Sequence, residues 1–309
     1  MGETRRELAL TDAQYRLFRD WIAERCGLWF ATDSRFVLER RLARRVRERD
    51  LGSFAAYFYE LRSSTGDDGE LGTLIDELTT NETYFLRERG QLSALVAEIL
   101  PEWVERRRRV GGPVSIWSAG CSSGEEPYSV VMLAREAGFE PGRHFRVYAS
   151  DVSRRMLQAA RRGVYRPSSF RETEPALRQK YFVEKDGGFR IADEIKRHVV
   201  FTHVNLVEPA KGWVLGAMDV ILCRNVIMYF DTPTRRHVVE RFAEKLTPGG
   251  YLLLGHAESL VQVSNAFSLR HLRSDLVYQK PLPGAERPDP WHCAARAALD
   301  WMDAEDAAS

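Results

Sequence analysis

From Thr11 to about Asp76 the apolar positions follow a helical pattern throughout. The stretch "TDAQYRLFRDWIAERCG" opens on an N-cap residue, Thr11 or Asp12, and closes on Gly27, a residue suited to ending a helix. A second helix is predicted from Asp33 or Ser34. In it Leu38, Leu42 and Val46 recur every four residues, which sets one apolar stripe against a neighbour and turns Arg40, Arg41, Arg44, Arg45 and Arg47 elsewhere. Short helices over 53–62 and 70–79, separated by "SSTGDDG", complete an all-helical N-terminal module spanning 1–80.

After Arg87 the pattern changes. Helix-like segments now alternate with short β-branched and aromatic runs: "VSIWS", "FRVYAS", "HVVFTHV", "MDVILCRN" and "GYLLLG". This alternation predicts an α/β domain, a Rossmann-like doubly wound and mostly parallel sheet, over 81–280. Within it "YFVEKDGGFRIAD" places Gly187 and Gly188 between two strand-like pieces, so a small β-hairpin subdomain is expected at about 179–202. The proline-rich "PLPGAERPDP" and the helix-like "WHCAARAALDWMDAED" make 281–309 a linker and tail.

Composition narrows the classes. With 309 residues, 44% of them hydrophobic, the chain can bury one sizeable core and a smaller second one. No apolar run reaches the roughly 18 residues of a membrane span, and the first thirty positions lack a signal-peptide core, so a cytoplasmic protein without membrane insertion is expected. Cys26, Cys121, Cys223 and Cys293 lie too far apart for a zinc or disulfide framework and read as reduced thiols, with no metal implied. A net charge of +1 gives no global argument for nucleic acid, and "VERRRR" at 104–109, without interleaved aromatics, reads as a solvated helix end.

The candidate chemistry begins at "WSAGCSSGEEPYS". Gly120 and Gly124 follow the first strand, where open α/β sheets let backbone approach a nucleotide-like ligand. The loop is not GxGxxG and lacks a phosphate-cradling lysine, while Glu125 or Glu126 at a helix start would repel phosphate and suit a cationic or hydroxyl-rich ligand such as a sulfonium nucleoside. A tight turn with solvated carboxylates explains the loop equally well. Asp151, ending "FRVYASD", is placed to accept hydrogen bonds from ribose hydroxyls or to cap the following helix.

Together, "LTTNETYFLRE", "WSAGCSSGEEPYS", "ASDVSRRMLQAARRGVY" and "LCRNVIMYF" resemble the chemotaxis receptor methyltransferases, the CheR family, in order and spacing from about residue 11 to about 280. The resemblance implies an S-adenosyl-L-methionine-dependent enzyme that methylates glutamate side chains on the cytoplasmic helices of chemoreceptors and releases S-adenosyl-L-homocysteine. It implies cofactor contacts at Asn81, Thr83, Arg87, Gly120, Glu125, Asp151, Asn205, Leu206, Arg224 and Asn225, with Arg87 and Tyr229 at the reacting centre. It also implies receptor docking through the basic helix that carries Arg41, Arg44 and Arg45. Glu82 and Tyr84 depart from the family pattern, and "YFVEKDGGFRI" is short for the hairpin that grips a receptor tail in some members, so tail tethering is not expected.

The residue types suit that chemistry. A glutamate with a pKa near ~4.3 is already ionised at neutral pH, so no general base is needed, and His203 and His256 read as ordinary residues. Cys121 and Cys223 read as small packing residues. The enzyme must instead align oxygen, methyl carbon and sulfur. A non-catalytic cofactor-binding module that senses or scaffolds is the alternative from another class. Amide or base methylation would want an Asn-Pro-Pro-Tyr segment where "CRNVIMY" stands, and hydride transfer would want a dinucleotide fingerprint.

Overall fold

The computed structural model describes residues 8–63, 69–185, 187–209 and 215–284, so the tail helix expected from the sequence lies outside the described residues. Helix α1 (Asp12–Cys26) opens on a capping box in which the Thr11 side chain accepts the Gln14 N–H and the Gln14 side chain accepts the Thr11 N–H. Two donors that a helix start leaves unpaired are thereby satisfied. The helix stops at Gly27, whose φ is 78°. A Cβ at Gly27 would fall 2.7 Å from Val207 and 2.8 Å from Phe230, so glycine answers both the left-handed turn and the close approach of the second domain.

After a 3₁₀ turn at Thr32–Ser34, α2 (Arg35–Glu48) buries Leu38, Leu42 and Val46 against α3 (Phe54–Ser63) and α4 (Glu70–Leu78). The arginines of α2 do not all face outward as expected. Arg45 is only 12% exposed at its side chain and grips Glu70 with Nε at 2.9 Å and Nη2 at 2.6 Å, while the Tyr57 hydroxyl donates to the same carboxylate at 2.6 Å. Arg41 is half-buried and caps the end of α4 by donating to the Leu78 carbonyl at 2.5 Å. These two positions lie one turn apart on the flank that packs on α4, so they share one fate. Arg44 is exposed and pairs with Glu77, and Arg40 and Arg47 are exposed beside it.

The segment between the domains leads into α5 (Arg89–Ala94) and α6 (Leu100–Val110), which pack beneath the sheet. Seven strands follow in the order β6-β2-β1-β7-β8-β10-β9: β1 (Val114–Ala119), β2 (Phe145–Asp151), β6 (Val199–His203), β7 (Met218–Cys223), β8 (Leu246–Leu254), β9 (Ser268–His271) and β10 (Leu276–Gln279). The first five are mutually parallel and the last two form an antiparallel edge. The chain steps outward from β1 to β2 and β6, then crosses to β7 on β1's other side. That reversal opens a crevice at the strands' carboxyl ends. Helices α7 (Glu125–Glu136), α8 (Arg154–Arg162) and α11 (Thr232–Lys245) cover the sheet faces.

A second, three-stranded sheet orders β3-β5-β4, with β4 (Phe182–Lys185) and β5 (Gly188–Ile191) as the expected hairpin and β3 (Val164–Tyr165) added beside it. Helices α9 (Pro175–Tyr181) and α10 (Asp193–Lys196) flank the hairpin. Phe85 anchors this sheet to the interdomain segment. Its ring stacks on Phe170 with centroids 5.1 Å apart, and its N–H donates to the Ser169 carbonyl at 2.9 Å. The basic run at 104–109 is only partly solvated, because Arg107 forms a bidentate pair with fully buried Asp219 at 2.8 and 2.7 Å.

Candidate active site

A cleft open to solvent lies between the helical module and the carboxyl edge of the sheet. The loop after β1 forms its floor. Gly120 and Cys121 donate their N–H groups to the Ser150 carbonyl at 2.8 and 2.9 Å, which folds the loop back onto β2. At Gly120 φ is 83°, and a Cβ there would sit 2.5 Å from Val226, so a side chain would close the crevice between this loop and the one after β7. Ser122 N–H and Ser153 N–H both donate to Asp151, each at 2.8 Å. Asp151 is 8% exposed; burial raises its pKa against those two hydrogen bonds, and its remaining lone pairs are free to accept from a ligand.

Of the residues expected at the cofactor or reacting centre, Asn81, Thr83, Arg87, Gly120, Asp151, Asn205, Leu206, Arg224, Asn225 and Tyr229 all line this cleft. Glu125 does not. Its carboxylate is 2% exposed beneath the loop, bonded by Ser123 Oγ at 2.7 Å and Ser169 Oγ at 3.1 Å, and burial raises its pKa. Glu126 faces the cleft in its place, accepting from Ser118 Oγ at 2.6 Å and Arg224 Nη1 at 3.2 Å. The sequence presents the two glutamates side by side. Which of them turns inward is decided by the first turn of α7 and by the serines that receive it.

Arg224, its side chain 2% exposed, is the electrostatic centre of the sheet side. It bridges Glu126 and Glu88 and donates through Nη2 to the Arg87 carbonyl at 2.5 Å. Its buried Nε has no hydrogen-bond partner among the described residues. Burial alone would raise the pKa of Glu88, but the Arg224 charge and hydrogen bonds from Arg224 and Asn225 leave it lowered. Asn205 ties the sheet to the module, its Nδ2 donating to the Arg25 carbonyl at 2.7 Å.

Glu258, which the sequence analysis did not single out, holds the loop after β7. Its two oxygens accept the N–H groups of Gly255, Asn225, Val226 and Met228 at 2.7 to 3.1 Å. Four donors on one carboxylate fix Asn225 in a left-handed conformation, φ 58°, and hold the turn Ile227–Tyr229 that presents Tyr229. Burial raises the Glu258 pKa, and the four N–H groups oppose the rise. Only the tertiary fold brings the "GHAES" segment to that loop, so no local signal in the sequence marked it.

A mostly parallel sheet with a glycine-bent loop and an acidic acceptor at the ends of two neighbouring strands, β1 and β2, defines the class: an α/β domain that binds a nucleoside cofactor. The chain belongs to the CheR methyltransferase family, with residues 13–79 matching its all-alpha domain and residues 81–275 its SAM-binding domain. It is similar to chemotaxis protein methyltransferase 2 of Vibrio cholerae, 40% identical over 280 residues that cover 90% of this chain and 96% of that one. It is likewise similar to the chemotaxis protein methyltransferases of Salmonella typhimurium, 38% identical (85% of this chain, 89% of that one), and of Escherichia coli, 37% identical (85% and 90%).

The chain is therefore an S-adenosylmethionine-dependent methyltransferase of the chemotaxis type. The cleft fits that cofactor. Glu82, Glu126 and Asp151 outnumber Arg87 and Arg224 on its walls, a balance that favours a cation, and the unpartnered Arg224 Nε offers a donor to a ligand acceptor. No helix among the described residues is long and apolar enough to cross a membrane.

Proposed function

We propose that the chain methylates glutamate side chains on the cytoplasmic helices of chemoreceptors, working in the cytoplasm and producing glutamate methyl esters and S-adenosylhomocysteine. The observation that carries this reading is that Arg87 and Tyr229, from separate segments, line the same cleft as the loop after β1, while among the described residues no histidine lines it. Such a site suits a substrate that arrives already ionised.

S-adenosylmethionine, when bound, supplies a methyl group on a sulfonium that departs as a neutral thioether. The chain's own residues bind and align. Asp151 would accept from ribose hydroxyls, Arg224 Nε and the Glu126 carboxylate would hold the cofactor's polar end, and Leu206 would pack on the base. Arg87, held by its Nη1 on the Glu82 carbonyl at 2.9 Å, orients the incoming carboxylate together with Tyr229. No proton moves, so rate is gained from alignment and from exclusion of water.

The exposed arginines of α2, namely Arg40, Arg44 and Arg47, form the docking surface for acidic receptor helices. Incubation of the protein with labelled cofactor and a receptor fragment, followed by mass spectrometry, should find methyl esters on glutamates. Cofactor binding without transfer would instead mark a non-catalytic module.

A further inference from the structure

The mouth of the cleft carries a group of charges that the alignment of methyl and carboxylate does not use. Glu82 lines the cleft yet keeps its side chain 64% exposed, and its Oε1 accepts from Arg171 Nη2 at 2.9 Å. The Arg171 guanidinium lies over the Tyr84 ring, 3.6 Å from its centroid, and Arg87 approaches the same ring at 5.7 Å. Arg171 comes from the small-sheet side. Its neighbour Phe170 is buried on Phe85, and Ser169 accepts the Phe85 N–H, so the backbone that carries Arg171 is fixed although the side chain is 48% exposed.

We propose that Arg171 is a specificity-determining residue, which takes a second carboxylate of the substrate, one helical turn from the glutamate being methylated, in exchange for Glu82. The inference rests on the glutamate-methylating function proposed above. Three features carry it. An exposed ion pair such as Glu82–Arg171 is weak, so it exchanges readily for an incoming anion. The guanidinium carbon sits 3.6 Å over the Tyr84 ring centroid, a cation–π contact that holds it in place while its N–H donors remain for a planar carboxylate. Arg87 and Arg171 both approach one ring, so the gap between them is no greater than their two ring distances together allow, a span that carboxylates three or four residues apart on a helix can bridge. Glu82 then acts as the enzyme's own stand-in for that second carboxylate, keeping Arg171 oriented between encounters.

The test measures initial methylation rates against concentration of a receptor fragment, together with S-adenosylhomocysteine affinity by calorimetry, for the parent, Arg171→Ala and Glu82→Gln. Arg171→Ala should raise KM for the fragment about two- to fivefold, the scale of one exposed ion pair, with kcat changed less and S-adenosylhomocysteine affinity unchanged. Glu82→Gln should lower KM by removing the competitor. Replacing by Gln the acidic residues three or four positions from the methylated glutamate should raise KM for the parent and leave Arg171→Ala unaffected. The proposal is overturned if Arg171→Ala methylates like the parent, if its KM and its cofactor affinity weaken in step, or if parent and variant respond alike to the neutralised fragment. A parent that transfers no methyl to any fragment would instead defeat the glutamate reading itself.

Discussion

The backbone N–H of Trp29, just beyond the first helix, donates to the carbonyl oxygen of Tyr229 at 2.8 Å. The residue proposed to align the substrate is thus held from the helical module as well as from the sheet. Further bonds cross the same seam, among them Asn205 Nδ2 to the Arg25 carbonyl, Ser153 Oγ to Asp76 Oδ1 at 2.5 Å and Arg155 Nη2 to the Asp76 carbonyl at 2.8 Å. Because Ser153 N–H also holds Asp151, both ends of the cleft answer to the packing of the module.

Gly27→Ala tests that seam. The new Cβ meets Val207 and Phe230 at under 3 Å, in a left-handed conformation that alanine resists. Urea unfolding should show a loss of about 1 to 3 kcal/mol, with turnover reduced beyond what the folded fraction explains. Unchanged stability and rate would mean that the two domains part at little cost.

Asp151→Ala should weaken S-adenosylhomocysteine binding by about 1 to 3 kcal/mol in calorimetry, and Asp151→Asn, which keeps one acceptor oxygen, by less. The pH dependence has a definite sign. Burial raises the folded-state pKa of Asp151 above 3.8, so on acidification it takes up its proton at higher pH than an exposed aspartate does. The same raised pKa makes the ionised group a stability cost, one that grows as pH rises from the unfolded value through the folded one and is absent below both. Cofactor affinity should therefore begin to fall on the acid side while the protein is still folded. Affinity that falls only together with unfolding would remove Asp151 from the ribose role.

Glu258→Ala leaves four backbone donors without their acceptor. A stability loss of roughly 2 to 4 kcal/mol is expected, together with a fall in kcat as the turn at Tyr229 loosens. Glu258→Gln retains one oxygen but turns an amide toward the remaining N–H pair, so it should recover only part of each loss. Denaturant titration and single-turnover rates on the same preparations decide this.

Two charge reversals on one helix should behave differently. Arg40→Glu with Arg47→Glu changes exposed positions only, and should raise the receptor KM and flatten its salt dependence while leaving thermal unfolding nearly unmoved. Arg45→Glu places a second anion against buried Glu70 and should cost about 3 kcal/mol or more of stability. If the exposed pair of reversals methylates normally at every salt concentration, the receptor docks elsewhere.

These contrasts show what was legible in the residues. Helical spacing located α1 to α4, and the β-branched runs located the five parallel strands, because each places its own apolar atoms at its own period. The edge strands Ser268–His271 and Leu276–Gln279 were not read. They are short and half-exposed, and they owe their pairing to tertiary neighbours, β10 to β8 and β9 to β10, rather than to local preference. In the cleft, motifs fixed which segments meet but not which way side chains turn. Arg45 and Arg40 are chemically identical in the sequence and differ only by the presence of Glu70 across the helix interface. Glu125 and Glu126 are neighbours separated by the fate of two serines.

Cys26 and Leu28 of the module stand in the cleft wall beside Asn205 and Phe230 of the sheet, so the catalytic half is not a portable cassette. A recombination event that joined this sheet to a foreign N-terminal segment would have to reproduce a glycine opposite Val207, a carbonyl acceptor for the Asn205 amide and an N–H donor for the Tyr229 carbonyl, or inherit a binding site open along one side. On the docking proposed above, receptor preference should change through exposed positions of α2 and of the cleft mouth, with the two domains passed down as one unit.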